Sequence, residues 1–195
     1  QDLADEVKKH GAKVVINCIG YVGARNVDDC EKDIDATITA NALVPVWFGE
    51  LAFREGVKVV HISSGCIYHY DYAGQPPIEE SLTPDYYTLF YSRTKIYAEA
   101  VLEPLSKRCN ILITRIRVPL DDKPSPRNLI DKLIKYKKVI DVPNSVTYLP
   151  DYFRALEHLI KIDARGTYNV VAKGPLVYPK LMDLYRKYQP SFNYE

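Results

Sequence analysis

The sequence predicts an α/β protein with a doubly wound parallel sheet, and three observations carry that expectation. Short apolar runs alternate with helical patterns of ten or more residues, which requires right-handed crossovers between parallel strands. Of the 195 residues, 47% are apolar and 26% are charged, ordinary for a globular chain of one domain or slightly more. No internal repeat, low-complexity tract or proline cluster breaks the alternation.

Each element has its own signal. Val14-Val15-Ile16 is a short unbroken apolar run, as in a strand buried on both faces. From about Ile34 to Arg54, the residues Ala36, Ala40, Leu43, Trp47 and Leu51 fall at helical spacing, and Gly56 marks the stop. Val57 to Ile62 reads as the next strand. Ser63 to Phe90 is a long irregular stretch, a kind that is usually functional inside a compact domain. Tyr91 opens a helix to about Leu105, and Ile111 to Arg117 is a strand. Helix-like segments at Asn128–Tyr136, Pro150–Ile162 and Tyr178–Tyr188 alternate with strands at Val139–Val142 and Thr167–Val171.

Composition narrows the function classes. With 26 basic against 25 acidic side chains, the chain lacks the basic excess of a nucleic-acid or anionic-membrane binder. No unbroken apolar run approaches the roughly 20 residues of a membrane span. The polar opening Gln1-Asp2-Leu3-Ala4 does not read as a signal peptide, and without a methionine it does not read as a native start. Cys18, Cys30, Cys66 and Cys109 are widely spaced, so neither a zinc framework nor a dense disulfide scaffold is expected, and no metal site. Reduced thiols point to the cytoplasm. Cys18 and Cys109 are expected as small core residues.

In doubly wound sheets ligands bind beyond the carboxyl ends of the strands. After the first strand comes Cys18-Ile19-Gly20-Tyr21-Val22-Gly23, where glycine permits close backbone approach or simply a tight turn. After the second comes Ser63-Ser64-Gly65-Cys66, followed downstream by Tyr91-Ser92-Arg93-Thr94-Lys95. A Y-x-x-x-K spacing places both side chains on one helix face. There the lysine favours the phenolate and tunes the tyrosine as a general acid for a carbonyl oxygen receiving hydride. Alone, this spacing also fits a surface Tyr/Lys pair. The hydroxyl-bearing strand end, the long loop and the helix start together make the chemical reading specific.

With these residues the chain resembles the extended short-chain dehydrogenase/reductase family over nearly its whole length. It looks most like the nucleotide-rhamnose synthases, 3,5-epimerase/4-reductases acting on nucleoside-diphosphate 4-keto-6-deoxyglucose, and is similar to dTDP-4-dehydrorhamnose reductases. The matching stretches are Gly20-Tyr21 through Asn26-Val27-Asp28 and Cys30-Glu31, Gly65-Cys66-Ile67, Tyr91 through Lys95, Arg115-Ile116-Arg117, Pro126-Arg127-Asn128 and Pro143-Asn144-Ser145. The resemblance implies a Rossmann-type fold. Ser64 would polarise the substrate carbonyl, Tyr91 donate the proton and Lys95 hold the nicotinamide ribose. Cys18, Ile19, Gly20, Tyr21 and Val118 would line the NADPH site, with NADPH against NADH left open.

Dehydratases of this family carry Asp-Glu where this chain has Gly65-Cys66, so dehydration is disfavoured. A thiolate at Cys66 suits removal of a proton alpha to the 4-keto group, and the resemblance places Lys132 as the opposing acid. Asn26, Arg127, Asn128, Asn144 and Ser145 would bind the nucleotide sugar. On the residues alone, Cys66 also reads as a small buried hydrophobe and Lys132 as a solvated lysine. Arg127 and Asn128 could cap a helix, and Asn144 and Ser145 could form a turn. His61 reads as a core or edge histidine, His69 matches no family motif, and Tyr70, Tyr72, Tyr86 and Tyr87 could stack on base or sugar or pack the loop.

Residues 1–122 are expected to form the catalytic core. Residues 123–195 are expected to form mainly a substrate lobe, with some segments returning to the core. The implied partners are the nucleotide sugar and, at the level of the family, a second copy of the chain; nucleic acid and membrane are not expected. A reductase without epimerase activity and a non-catalytic cofactor-binding subunit are the alternatives. The resemblance further implies an upstream β-α-β unit with a G-x-x-G-x-x-G turn, a motif absent from these residues, so the polypeptide as given is expected to bind NADPH weakly.

Overall fold

Strand order shows how the chain is wound. A computed structural model describes residues 3–70 and 75–194. Its main sheet has four strands in the order β1 (Val14–Asn17), β2 (Lys58–Ser64), β3 (Ile111–Ile116) and β6 (Gly166–Asn169). β1 runs parallel to β2, with Ile16 opposite Val60, and β3 runs parallel to β6. The helices supply the crossovers, as the alternating pattern predicted. α1 (Leu3–His10) precedes β1. α2 (Ile34–Ile38) and α3 (Val44–Glu55) join β1 to β2, and α4 (Phe90–Ser106) joins β2 to β3.

The chain divides into two compact units. The first comprises Gln1–His69, Pro77–Arg115 and Ile160–Asn169. Its apolar core gathers Ala4 and Val7 of α1, Phe48, Leu51 and Ala52 of α3, Val59 of β2, Leu102 of α4, and Ile111 and Ile113 of β3. Gly49 lets α3 lie close on α4, because a Cβ there would fall 2.7 Å from Leu102 Cδ2. At the strand starts the buried Lys58 ammonium donates to Asn110 Oδ1 (2.9 Å), Asp163 Oδ1 (3.0 Å) and the Ala164 carbonyl (2.7 Å). Hydrogen bonds from Asn110 and then Lys58 hold the Asp163 carboxyl down at about 2.

The second unit comprises Tyr70–Pro76, Ile116–Leu159 and Val170–Glu195. β4 (Pro119–Leu120) pairs in parallel with β5 (Thr147–Tyr148). α5 (Leu129–Leu133) and α7 (Tyr178–Tyr188) build a core from Leu129, Leu133, Val146, Tyr178 and Met182. α6 (Leu149–Lys161) carries the chain back toward β6.

Four local expectations are corrected. Val139–Val142 is not a strand: Ile140 is exposed and, among the described residues, no neighbouring strand offers these residues a ladder, so their β propensity goes unused. The helix from Ile34 turns a different face inward. A π-helical turn at Thr39–Leu43 shifts the register, so Thr37, Asn41, Pro45, Phe48 and Gly49 are buried while Leu43 and Trp47 are exposed. With that turn included, Ile34–Glu55 is a continuous helical stretch of 22 residues, long and apolar enough by composition to cross a membrane. Thr37, Thr39, Asn41 and Pro45 had hidden it from a search for unbroken apolar runs; here one flank packs on α4 and β2 as a core helix does. Finally, β1 is not buried on both faces. It is an edge strand, and Ile16 is 43% exposed.

Candidate active site

The carboxyl ends of β1 and β2 and the first turns of α4 bring eight of the expected residues, Cys18, Ile19, Gly20, Tyr21, Ser64, Cys66, Tyr91 and Lys95, into one unit. Tyr91 and Lys95 lie one turn apart on α4, both buried. The helix begins cleanly because Glu31 Oε1 accepts the Phe90 N–H at 2.8 Å, satisfying one of the donors a helix start leaves open. Ser64 ends β2, and its Oγ accepts the Cys66 N–H at 3.1 Å, which folds the strand end back on itself. Ser92 Oγ donates to the Cys66 carbonyl at 2.5 Å and ties this turn to α4. Cys66 is half-buried and is a free thiol, as are the other three cysteines. The Ser64–Cys66 turn and the Tyr91–Lys95 helix are therefore held by direct hydrogen bonds.

The loop after β1 approaches from the other side. Gly20 lies over Lys95: a Cβ built there falls 3.6 Å from Lys95 Nζ and 3.5 Å from Asn41 Oδ1. Asn41 clamps the next residue, accepting the Tyr21 N–H at 2.9 Å and donating to the Tyr21 carbonyl at 2.8 Å. It does so from the π-helical turn, an irregularity often found at functional sites. Gly23 closes the loop with φ +74° and no room for a side chain. Asn26 is exposed, and its side chain accepts the Asp28 N–H. Cys18 is exposed rather than a core residue, because it lies one residue past the end of β1. Cys109 is buried as expected.

Lys95 is the most informative group. It is only 4% exposed, and burial pushes its pKa down to about 8, with Glu99 opposing. Among the described residues its ammonium makes no hydrogen bond. A buried cation beside Gly20, with its donors uncommitted, fits the vicinal hydroxyls of a ribose. The residues present thus fit the dinucleotide that the fold implies.

Beneath it, His61 is fully buried. The Ile19 N–H fixes Asn17 by donating to its Oδ1 (3.0 Å), so Asn17 Nδ2 faces His61 Nδ1 at 3.2 Å and donates to it. The imidazole proton is therefore on Nε2, which has no partner among the described residues. Burial, and then the Lys95 charge, lower this pKa from 6.5 to about 3.

Glu99, which motif reading missed, joins Arg115 of the Arg115-Ile116-Arg117 stretch beneath the site. Glu99 Oε2 accepts Arg115 Nε and Nη2 at 3.0 and 2.7 Å, and Glu99 Oε1 accepts Ser63 Oγ at 2.5 Å. Arg115 also lies 5.4 Å from the centre of the Tyr68 ring. The sequence clue to Glu99 was its place one turn beyond Lys95 on the same helix face.

Lys132, Arg127, Asn128, Asn144, Ser145 and Val118 belong to the second unit. Lys132 is exposed on α5, and Arg127 and Ser145 are exposed. Asn128 is committed internally: its Oδ1 accepts the Asp121 N–H, and its Nδ2 donates to the Asp121 and Lys123 carbonyls. Asn144 Oδ1 accepts Arg117 Nε at 3.1 Å. Val118 sits at φ +38°, a region that β-branched residues rarely adopt and that collects at functional sites. In the loop after Cys66, His69 pairs with Asp85 and packs edge-on against Tyr86, and the Tyr70 hydroxyl donates to the Gln75 carbonyl. Tyr87 is exposed, and Tyr72 lies outside the described residues.

A parallel α/β sheet, a serine at a strand end and a Tyr/Lys pair on the following buried helix define a domain of the short-chain dehydrogenase/reductase class. Within that class, the sequence profile of the NAD dependent epimerase/dehydratase family matches residues 1–135, and the chain belongs to this family.

A similar curated protein is the bifunctional dTDP-4-dehydrorhamnose 3,5-epimerase/dTDP-4-dehydrorhamnose reductase of Arabidopsis thaliana. It is 30% identical over 202 residues, covering 100% of this chain and 66% of that protein. Among solved structures, the L780 UDP-rhamnose synthase of Acanthamoeba polyphaga mimivirus superposes with a TM-score of 0.89 at 20% identity, covering 99% of this chain and 70% of the other. A dTDP-4-dehydrorhamnose reductase of Bacillus anthracis in complex with NADP gives 0.78 at 21% identity, covering 98% and 67%. The chain thus spans about two thirds of the bifunctional relative's length. It spans 27% of the trifunctional UDP-glucose 4,6-dehydratase/UDP-4-keto-6-deoxy-D-glucose 3,5-epimerase/UDP-4-keto-L-rhamnose-reductase of Arabidopsis thaliana, to which it is 30% identical.

Proposed function

We propose that this chain carries the catalytic machinery of a nucleotide-sugar 3,5-epimerase/4-reductase, converting a nucleoside-diphosphate 4-keto-6-deoxyglucose to the rhamnose nucleotide. The observation that carries the reading is the half-buried thiol of Cys66, fastened through Ser92 to the helix that bears Tyr91. It supplies a carbon base beside a carbonyl-protonating acid. Cys66, as thiolate, removes the proton alpha to the keto group, and Lys132 returns one on the opposite face. Ser64 orients the C4 oxygen, and Tyr91 protonates it.

NADPH, when bound, supplies the hydride. Lys95 would hold its ribose, and Cys18, Ile19, Gly20, Tyr21 and Val118 would line its site. Asn26, Arg127, Asn128, Asn144 and Ser145 are assigned to the nucleotide sugar, and the second unit to the substrate lobe. The internal hydrogen bonds of Asn128 and Asn144 suit them to shaping that lobe more than to direct contact. We place the protein in the cytoplasm, where four free thiols stay reduced.

The test follows deuterium uptake at C3 and C5 together with product formation, using both UDP- and dTDP-4-keto-6-deoxyglucose with NADPH. Cys66→Ala is expected to abolish uptake. Tyr91→Phe is expected to lower reduction by about 10²–10⁴-fold while leaving uptake largely intact. Full-rate uptake in Cys66→Ala would refute the thiol's role. No uptake in the unaltered chain, with rhamnose nucleotide formed only when a separate 3,5-epimerase is added, would make it a 4-dehydrorhamnose reductase alone, a reading to which its likeness to the reductase structure also points.

A further inference from the structure

We propose that Glu99 is a positioning residue for Lys95: its carboxylate, locked between Arg115 and Ser63, is the counter-charge that keeps the Lys95 ammonium charged in its buried site. The inference rests on the reading of Lys95 as the ribose-holding, tyrosine-tuning cation.

Lys95 and Glu99 are four residues apart on α4, so their side chains rise from one face of the helix. Both are buried, at 4% and 2% exposure, where water does little to screen one charge from the other. Yet they do not form an ion pair. All of the close partners of Glu99 are elsewhere: Arg115 Nε and Nη2 on β3, and Ser63 Oγ on β2. A carboxylate free to swing would close directly on Lys95 and take the donors that a ribose needs. Held as it is, Glu99 acts on Lys95 through its field alone and leaves the ammonium available.

The other groups around Lys95 do not substitute for it. His61, from β2, is neutral, and with its proton on Nε2 it offers no lone pair on that side. Asn41, from the π-helical turn, is neutral and committed to Tyr21. Tyr91 on α4 gains, rather than provides, charge stabilisation from the lysine. In the 3-10 turn Val27–Lys32, packed against α4, Glu31 is held by the Phe90 N–H and Arg93, and Asp29 by Arg25 and Lys32. The balance between burial, which lowers the lysine pKa, and Glu99, which raises it, agrees with this geometry.

Ser63 and Arg115 therefore have a defined part. They fix the distance of the negative charge from Lys95, and they couple it to the strand end that carries Ser64. Losing the charge would discharge the lysine near neutral pH. Tyr91 would then lose the cation that tunes it, and activity would fall off at lower pH.

The experiment is an NMR titration of the lysine side-chain nitrogens in the ¹⁵N-labelled chain, with the Lys95 signal assigned by its absence in Lys95→Arg. It needs neither substrate nor cofactor. Glu99→Gln is expected to lower the Lys95 midpoint by about one pH unit or more, and Glu99→Asp, which keeps the charge, to restore most of it. Because Glu99→Gln strands Arg115, the paired Glu99→Gln/Arg115→Gln variant removes both buried charges together, and it too is expected to lower the midpoint.

An unchanged midpoint in either folded Gln variant would overturn the proposal. So would a midpoint below about 6 in the unaltered chain, the behaviour of a buried lysine without a counter-charge. If the midpoint shifts as stated but the unaltered chain shows no NADPH-dependent reduction, the functional reading fails and the electrostatic assignment stands. Where reduction is observed, the alkaline limb of its pH profile should move down with the Lys95 midpoint in Glu99→Gln, a shift that simple loosening of the fold would not produce.

Discussion

His61 makes the folded protein sensitive to mild acid, and the size of the effect follows from its surroundings. The ring is fully buried, its Nδ1 is occupied by Asn17, its Nε2 proton lacks a partner, and Lys95 repels a second positive charge. Its pKa falls from 6.5 in the unfolded chain to about 3 in the folded one. Below pH 6.5 the unfolded chain therefore takes up a proton that the folded chain refuses. Stability must fall as pH falls, at about 1.4 kcal/mol per pH unit, until the folded-state pKa is reached. Between pH 7 and pH 5 the loss from this one residue is about 2 kcal/mol.

The measurement is urea unfolding at both pH values for the unaltered chain and for His61→Asn. The asparagine can present an amide oxygen near the position of Nδ1 and does not titrate. The exposed histidines His10, His69 and His158 are common to both proteins, so their contributions cancel. The unaltered chain should lose about 2 kcal/mol more than the variant between pH 7 and pH 5. Equal losses in the two proteins would refute the neutral, partnerless histidine.

Two further predictions concern packing. Leu102→Ala, at a fully buried core position, should destabilise the fold by about 2–5 kcal/mol in urea unfolding. Gly49→Ala should also destabilise, because the new methyl would meet Leu102 Cδ2 at 2.7 Å. The double variant should lose clearly less than the sum, and strict additivity would show that the two sites do not touch. Gly23→Ala places a Cβ 2.1 Å from the Asn26 carbonyl oxygen in a left-handed turn at φ +74°. The loop should open, and the buried Cys30, whose thiol faces the Tyr21 carbonyl, should react much faster with a thiol reagent; an unchanged labelling rate would contradict this.

Much of the site was readable along the chain because its chemistry is local. Ser64 and Cys66 share one strand end. Tyr91 and Lys95 share one helix face, and helical geometry alone makes them neighbours. The glycine at position 20 was conspicuous for the same reason, lying just past an apolar run. Asn41 was hidden, since a single amide in an apolar helix gives no sign that a π turn will aim it at Tyr21. Of the spaced residues Ala36, Ala40, Leu43, Trp47 and Leu51, the last is buried as expected while Leu43 and Trp47 are exposed, because a one-residue change in helical register is invisible in a pattern that assumes a regular helix.

By itself, then, the sequence determined the alternation of strands and helices, the parallel winding that follows from it, and which candidate side chains share a strand end or a helix face. Those follow from backbone sterics, side-chain periodicity and spacings of four residues or fewer. Only the tertiary structure decided the electrical setting of those side chains. Glu99, Arg115 and Ser63 come from three different elements, and nothing in their spacing says that they converge. His61 becomes a neutral, partnerless ring only when β1 supplies Asn17 and α4 supplies Lys95. Charges buried at short range interact strongly because water is excluded, and exclusion of water belongs to the packed fold rather than to any segment of the chain.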